Sequence, residues 1–239
     1  MIKRWDFHIH SDLSPCADDE MTPNNIVNMA LIKGLSGISI TDHNSIKNLI
    51  AIEKVAKDKG LDFLPGVELT TKEEIHVLIY FESMDQYQAM DTFLSEVLPR
   101  RANRPGLFGH QRIYDENDRV IGEEENLLMN ATRASLEEAY RFSNEIDGLF
   151  VPAHIDRSSF SILSNLGFIP PHLGIRMIEL SKNTSVEQFY KNHPWAKTLS
   201  YLKNSDAHHL VDLLEGTEAN CFDIQNGESV LKHLKNHQL

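Results

Sequence analysis

Lys3-Arg4-Trp5-Asp6-Phe7-His8-Ile9 reads as a strand, and the chain that follows repeats a strand–helix pattern. Thr22-Pro23 opens a helix, with Thr22 as N-cap and Pro23 at the first position, and Gly34 stops it. Gly37 to Thr41 is a second strand, Ile46 to Lys59 a helix ended by Gly60, and Leu61 to Leu69 a third strand. Ile75 to Phe81 is a fourth strand, readable as a hairpin partner of the third, and Asp85 to Leu98 is helical. Ser135-Leu136-Glu137-Glu138 is a capping box opening a helix that Gly148 closes. Leu149 to Ala153, Ile175 to Leu180 and Leu199 to Leu202 read as further buried strands. A second capping box, Ser185-Val186-Glu187-Gln188, lies between the last two; a strand at Asn220 to Ile224 and a helix from Ser229 finish the chain.

Such alternation implies parallel strands covered by helices. About seven strands in 239 residues fit a barrel better than an open sheet, although periodicity alone does not separate the two. The expected class is α/β, with residues 1–239 forming a single domain. Pro99 to Asn126 breaks the pattern: it holds Asn103-Arg104-Pro105-Gly106, the turn Asp115-Glu116-Asn117-Asp118 and the acidic run Glu123-Glu124-Glu125. It reads as an irregular excursion over the mouth of the barrel.

Composition narrows the function. Hydrophobic residues make up 41% and charged residues 24%, an ordinary globular balance. The net charge of −12 argues against a nucleic-acid-coating or membrane-surface protein, whose affinity needs a basic face. No apolar run approaches the ~20 residues of a membrane span, and Met1 to Asp6 has no signal-peptide core. Two cysteines, Cys16 and Cys221, exclude a disulfide framework and make the cytoplasm the expected location. The unusual figure is twelve histidines, since histidine is the commonest metal ligand and the acid/base of neutral pH.

Their placement is ordered. His8 and His10 end the first strand two residues apart, so both point to one face. Thr41-Asp42-His43 ends the second strand, Gly66-Val67-Glu68 the third, and His76 lies on the fourth. His154 follows Leu149 to Ala153, and Asp206 and His208 follow the strand at Leu199, again two apart. In a βα barrel the C-terminal strand ends converge on one mouth, where catalytic groups collect. Imidazoles mixed with carboxylates there suit divalent metal, which the carboxylates can bridge. Any one of these pairs alone would be unremarkable; the conjunction at successive strand ends is the signal.

His8-Ile9-His10-Ser11, Thr41-Asp42-His43-Asn44, Gly66-Val67-Glu68, Ile75-His76-Val77, Pro152-Ala153-His154 and Ser205-Asp206-Ala207-His208 closely resemble the motif series of the PHP (polymerase and histidinol phosphatase) family. The resemblance implies a distorted (β/α)7 barrel, TIM-like in plan, and metal-dependent phosphoester hydrolysis at a two- or three-metal centre of manganese, iron or zinc. It implies a first metal on His8, His10, Glu68 and Asp206, a second sharing Glu68 with His76 and His154, and a third on His43, His208 and a first-loop side chain. The family spacing to Pro23 lands on Asp18, with Asp12 and Asp19 as alternatives and Cys16 near enough to be a soft ligand. Asp42 would orient a ligand histidine or cap the next helix. His110, His172, His193, His209, His233 and His237 match no motif and read as surface or structural, His110 being the one with a route to the site.

Residues 73 to 181 contain no lysine but nine of the ten arginines. The guanidinium fork matches phosphate. Most of these arginines are expected to pair with surface acids. Arg157, three residues past His154, is expected at the mouth on substrate phosphate, and Arg101, Arg104, His110 or Arg112 to reach in from the excursion. Lys182 and Asn183 follow another strand and could touch substrate. The catalytic set is then Glu68, His154, Asp206 and Arg157, acting with metal-activated hydroxide and no protein nucleophile. The expected substrate is a phosphate mono- or diester of a small phosphorylated molecule or nucleotide, with long nucleic acid disfavoured by the charge. Amide or cyclic-ester hydrolysis at the same centre, and a non-catalytic metal-binding module, are the alternatives.

Overall fold

The computed structural model describes residues 2–224 and 228–236. Its elements run β1 (Ile2–Ile9), α1 (Pro23–Ile32), β2 (Gly37–Ile40), α2 (Leu49–Asp58), β3 (Asp62–Thr70), β4 (His76–Tyr80), α3 (Met84–Val97), α4 (Pro105–Phe108), β5 (Arg112–Tyr114), β6 (Val120–Glu123), α5 (Leu136–Glu145), β7 (Leu149–Pro152), α6 (Ile162–Leu166), β8 (Met177–Ser181), α7 (Val186–Asn192), β9 (Ser200–Asn204), β10 (Asn220–Asp223) and α8 (Val230–Asn236). Six strands form a curled sheet in the order β10-β1-β2-β3-β4-β7, and the parallel pair β8-β9 lies against its open side. Backbone bonds close the seam at the upper rim: Ile155 N donates to Glu179 O at 3.0 Å, and His10 N to Ala207 O at 2.9 Å. Lower down, Asn220 Nδ2 donates to Trp5 O, Lys203 O and Asn204 Oδ1, tying β10 between β1 and β9.

The barrel is distorted because β4 runs antiparallel to both β3 and β7. Only five residues, 71–75, join β3 to β4, too few for a parallel crossover, so a hairpin is forced. The reversal has a consequence for the mouth. It brings His76, the first residue of β4, opposite Thr70 at the end of β3.

Two-residue alternation then sorts each strand into an outer and an inner face. Ile38, Ile40, Val67, Leu69, Val77, Ile79, Phe150, Ile178 and Leu180 belong to the core shared with the helices. Trp5, Phe7, Leu64, Leu78, Tyr80, Val151, Met177 and Leu202 fill the barrel, with Leu231 and Leu234 of α8 packed onto them. Above this apolar floor, the same inner positions become polar: Glu68 two residues past Gly66, His76 two before Leu78, Glu179 two past Met177, Asn204 two past Leu202. A Cβ on Gly66 would stand 2.9 Å from side-chain atoms of Thr41 and Tyr80, so the layer beneath Glu68 has no spare room.

Two local readings are revised. Thr22 stands at the N-cap of α1, but its hydroxyl is turned to donate to Asp118 Oδ2 at 2.9 Å. Asp118 itself caps the helix, accepting Asn24 N at 2.9 Å. The excursion that carries Asp118 is more regular than its sequence suggests. It contains α4 and the β5–β6 hairpin. Buried Gln111 knits it together, accepting from Leu128 N and donating to Glu124 O and Asn126 O. Arg112 and Tyr114 fasten it to Asp12 of the first loop.

Candidate metal centre

Five imidazoles surround one buried carboxylate. Glu68 Oε1 lies 2.8 Å from His76 Nδ1, 3.1 Å from His154 Nε2 and 3.5 Å from His8 Nε2; Glu68 Oε2 lies 2.9 Å from His43 Nδ1 and 3.3 Å from His10 Nε2. Asp206 Oδ1 approaches His10 Nε2 at 3.1 Å and His8 Nε2 at 3.2 Å, and the His208 ring stacks on His10 with centroids 4.2 Å apart. His154 and Asp206 hold positive φ angles of 28° and 50°, backbone strain of the kind that collects at functional sites. Ligand-type atoms converge in three groups: His8, His10, Glu68 and Asp206; His43, Glu68 and His76; His10, His43 and His208.

The rings are oriented from behind. His8 Nδ1 faces both oxygens of Glu179 at 2.9 and 3.1 Å, and a carboxylate only accepts, so Nδ1 carries the proton. His10 Nδ1 lies 3.0 Å from Ser14 Oγ, whose own proton goes to Asp42 Oδ1 at 2.7 Å, so His10 Nδ1 is also a donor. The two Nε2 lone pairs therefore face each other at 3.1 Å, an arrangement that needs a cation between them. His43 Nδ1 and Glu68 Oε2, though close, make no hydrogen bond, and His154 Nδ1 is likewise unpartnered. This donor set fits divalent metal.

A proton substitutes for that cation in part. Burial opposes charge on His8, but Glu179, Asp206 and Glu68 raise it well above the ordinary range. His10 and His43 are likewise lifted against burial to about 9, His10 by Asp206 and Glu68 and His43 chiefly by Glu68. Burial works against charge on Glu68 too, yet His76, His8 and His43 hold it well below the usual carboxylate range. His208 goes the other way, pushed down to about 3 by burial and His10.

A family model described as the PHP domain matches residues 6–152, more than half the chain. The chain belongs to the PHP domain family. Among relatives of this PHP chain, the 5′–3′ exoribonuclease Rnm of Salmonella typhimurium is 26% identical over 173 residues, 70% of this chain and 57% of that one. The curated relatives it matches are longer: the aligned part spans 28%, 44% and 57% of three of them. The lesion-specific endonuclease PfuEndoQ from Pyrococcus furiosus superposes with a TM-score of 0.63 at 22% identity, over 88% of this chain and 49% of that one. An amidohydrolase from Chromobacterium violaceum, solved with bound sulfate, gives 0.64 at 18% identity over 98% and 96%. The α/β fold agrees with the family and with these solved structures. His154, Asp206 and His208 lie beyond the matched range, and the fold brings them to the PHP motifs within it.

Around the PHP cluster, the other expected site residues divide. Arg157 Nη1 is 2.6 Å from Asp206 Oδ2, at the rim. Asp18 belongs to none of the three convergent groups: its carboxylate lies 3.5 Å from His209 Nδ1. Asp12 is held by Arg112 and Tyr114, and Asp19 by Arg112 at 3.1 Å. Arg112 is thus engaged with the first loop. His110 pairs with Glu123 at 3.1 Å and Lys182 with Asp212 O at 3.0 Å, while Arg101, Arg104 and Asn183 are exposed. His172 pairs with Glu137, His193 stacks on Phe189, and His233 is buried against Phe222; His237 lies outside the described residues.

Sequence reasoning missed Glu179. It also accepts His154 N at 2.7 Å and Asn204 Nδ2 at 2.8 Å, so one carboxylate ties the segments carrying His8, His154 and Asn204 together. A lone acid inside Met177-Ile178-Glu179-Leu180 was the available signal, since a buried charge needs partners. Glu179→Gln is expected to weaken metal affinity about 10–100-fold, read by competition with a chelator; unchanged affinity would remove this role.

The raised histidines set a pH dependence. A group that holds its proton more tightly when folded adds stability below its unfolded value, ~6.5, and loses it as pH climbs through the folded one. Metal-free protein should therefore lose thermal stability between pH ~6.5 and about 9, the range to which His10 and His43 are lifted. His208, kept neutral, costs stability only below that window. Metal-loaded protein should hold its melting temperature across the window. Parallel profiles with and without Mn²⁺ would contradict this.

Proposed function

We propose that this PHP chain hydrolyses phosphate esters of nucleotides or of nucleic-acid ends, acting as a single domain in a reducing, cytoplasmic setting. The observation that carries this reading is Arg157: a guanidinium, 43% exposed at the side chain, set against Asp206 at the edge of the cluster. Its fork presents paired N–H donors at the place where a bound phosphoryl group would need them. The sulfate named in the Chromobacterium violaceum structure is a tetrahedral anion of similar shape.

The net charge of −12 by itself disfavours long polyanions such as long nucleic acid. Relatives named as an exoribonuclease and a lesion-specific endonuclease weigh against that expectation. A substrate bound by its terminal nucleotides satisfies both considerations.

His8, His10, Glu68 and Asp206 would hold one ion, Glu68 with His76, His154 and His43 a second, and His10, His43 and His208 a third position. Such ions supply Lewis acidity towards phosphoryl oxygen and acidify water towards neutral pH. The chain's own groups do the rest. Glu179 fixes the His8 ring, and Ser14 with Asp42 fixes His10, so both Nε2 atoms point into the site. Arg157 exchanges Asp206 Oδ2 for substrate oxygen and stabilises charge developing there. Ser11 takes no part as nucleophile, since its hydroxyl donates to Asp42 Oδ2 at 2.6 Å behind the cluster. The test is chelator-stripped protein, given back Mn²⁺ and assayed on nucleoside 5′-phosphates, 5′-phosphorylated oligoribonucleotides, an aryl phosphodiester and N-acyl amides. Metal-dependent turnover of phosphoesters is expected; turnover confined to amides would overturn the reading.

A further inference from the structure

Phe160 combines three features that its packing alone does not call for. The residue is 45% exposed although it is a large apolar one. Its backbone sits at φ 53°, a region that bulky L-residues rarely adopt and hold only when the surroundings impose it. One face of its ring lies on the imidazole of His76, centroids 4.8 Å apart and planes at 24°, while His76 Nδ1 faces Glu68 Oε1 at 2.8 Å.

The exposure does not come from a loose loop. Phe160 O accepts His76 N at 2.9 Å, fixing the strained residue to the first residue of β4. Ser161 Oγ donates to Arg157 O at 2.8 Å, so the arginine and the aromatic ring belong to one tight turn. Asn165 Nδ2 donates to the carbonyls of Glu73 and Glu74, and Asp156 Oδ1 accepts Ser181 N at 2.9 Å, anchoring the segment on both sides. A flat apolar face is thereby held at the rim of the ligand cluster, in the same turn as Arg157, with its other face covered.

We propose that the outward face of Phe160 is a stacking platform for a nucleobase of the substrate. The inference rests on the phosphoester reading of the cluster and narrows it to phosphates that carry a base. Every nucleobase offers a π-face, so a platform of this kind prefers nucleoside phosphates over base-free sugar phosphates without reading sequence.

The experiment compares adenosine 5′-monophosphate with ribose 5-phosphate, which differ by the base. Calorimetric affinity, turnover and metal content are measured on metal-reconstituted wild type, Phe160→Leu and Phe160→Trp. Wild type should bind the nucleotide about 10-fold more tightly, the scale of one base–aromatic stack. Phe160→Leu should lose that preference while its ribose 5-phosphate affinity and metal content stay unchanged, and Phe160→Trp should retain it. The platform is overturned by equal affinity of wild type for the two probes, by an unchanged ratio in Phe160→Leu, or by equal loss on both probes, which would make Phe160 a cover for His76. Affinity is read independently of turnover. A base preference that behaves as expected on a protein that hydrolyses no phosphoester would sustain the platform and sink the hydrolase reading.

Discussion

Glu68→Gln is expected to yield a folded protein whose turnover has fallen by roughly 10²–10⁴-fold, since even an outer partner of a metal ligand is worth about 10–100-fold at each ion and this residue faces two of the three ligand groups. The carboxylate lies within 3.5 Å of His8, His10, His43, His76 and His154. Those imidazoles hold it ionised against its burial. Glutamine keeps the shape, removes the negative charge that both groups share, and turns amide hydrogens towards atoms arranged to accept a cation. Neither apolar core includes Glu68, so the barrel should survive. Metal analysis, circular dichroism and kcat/KM on one preparation separate these effects. Near-normal turnover at saturating metal would show that Glu68 is not the shared ligand.

Arg157→Ala should lose on the order of 10²–10³-fold in kcat/KM, the usual scale for deleting one preorganised donor to developing charge. Unlike Glu68→Gln, it should leave metal content intact, because the Arg157 side chain meets the cluster at Asp206 Oδ2 and its backbone bond to His154 O is kept in alanine. Arg157→Lys keeps the charge but loses the two-pronged geometry, so it should fall between alanine and wild type. Unchanged kcat and KM in Arg157→Ala would remove the residue from phosphate binding.

The clustering of histidines and carboxylates at the strand ends was legible because ligand-type residues recur at successive strand ends. Glu68 follows the inner alternation of β3, two residues past Gly66, whereas His8 stands one residue past inward Phe7 and His154 three past inward Val151, and they reach the mouth through the register shift between Asp6 and Ile9 and the positive φ of His154. His76 was legible as a residue, but its place at the mouth depends on the reversal of β4, which hydrophobic pattern does not report; the five-residue link to β3 does. Glu179 escaped because it orients ligands from the middle of a strand, where no family spacing marks it.

The first loop shows where counting fails. Counting back from Pro23 selects Asp18, but the chain turns that side chain to His209. Loop direction depends on contacts distant in sequence: Arg112 and Tyr114 on Asp12, and Pro15 against Gly109. The same long-range contacts order the excursion, whose strands of three and four residues are too short to announce themselves. Arg112, legible as a phosphate ligand by type, is occupied by Asp12 and Asp19 for the same reason.

The central claim is that the histidines and carboxylates of the strand ends form one multinuclear metal centre shared through Glu68. Anomalous diffraction at the manganese edge, from crystals grown with Mn²⁺, tests it most directly. The account predicts at least two peaks within coordination distance of Glu68, one of them also bound by His8, His10 and Asp206. A single peak remote from Glu68, or ions held only by exposed acids, would contradict it.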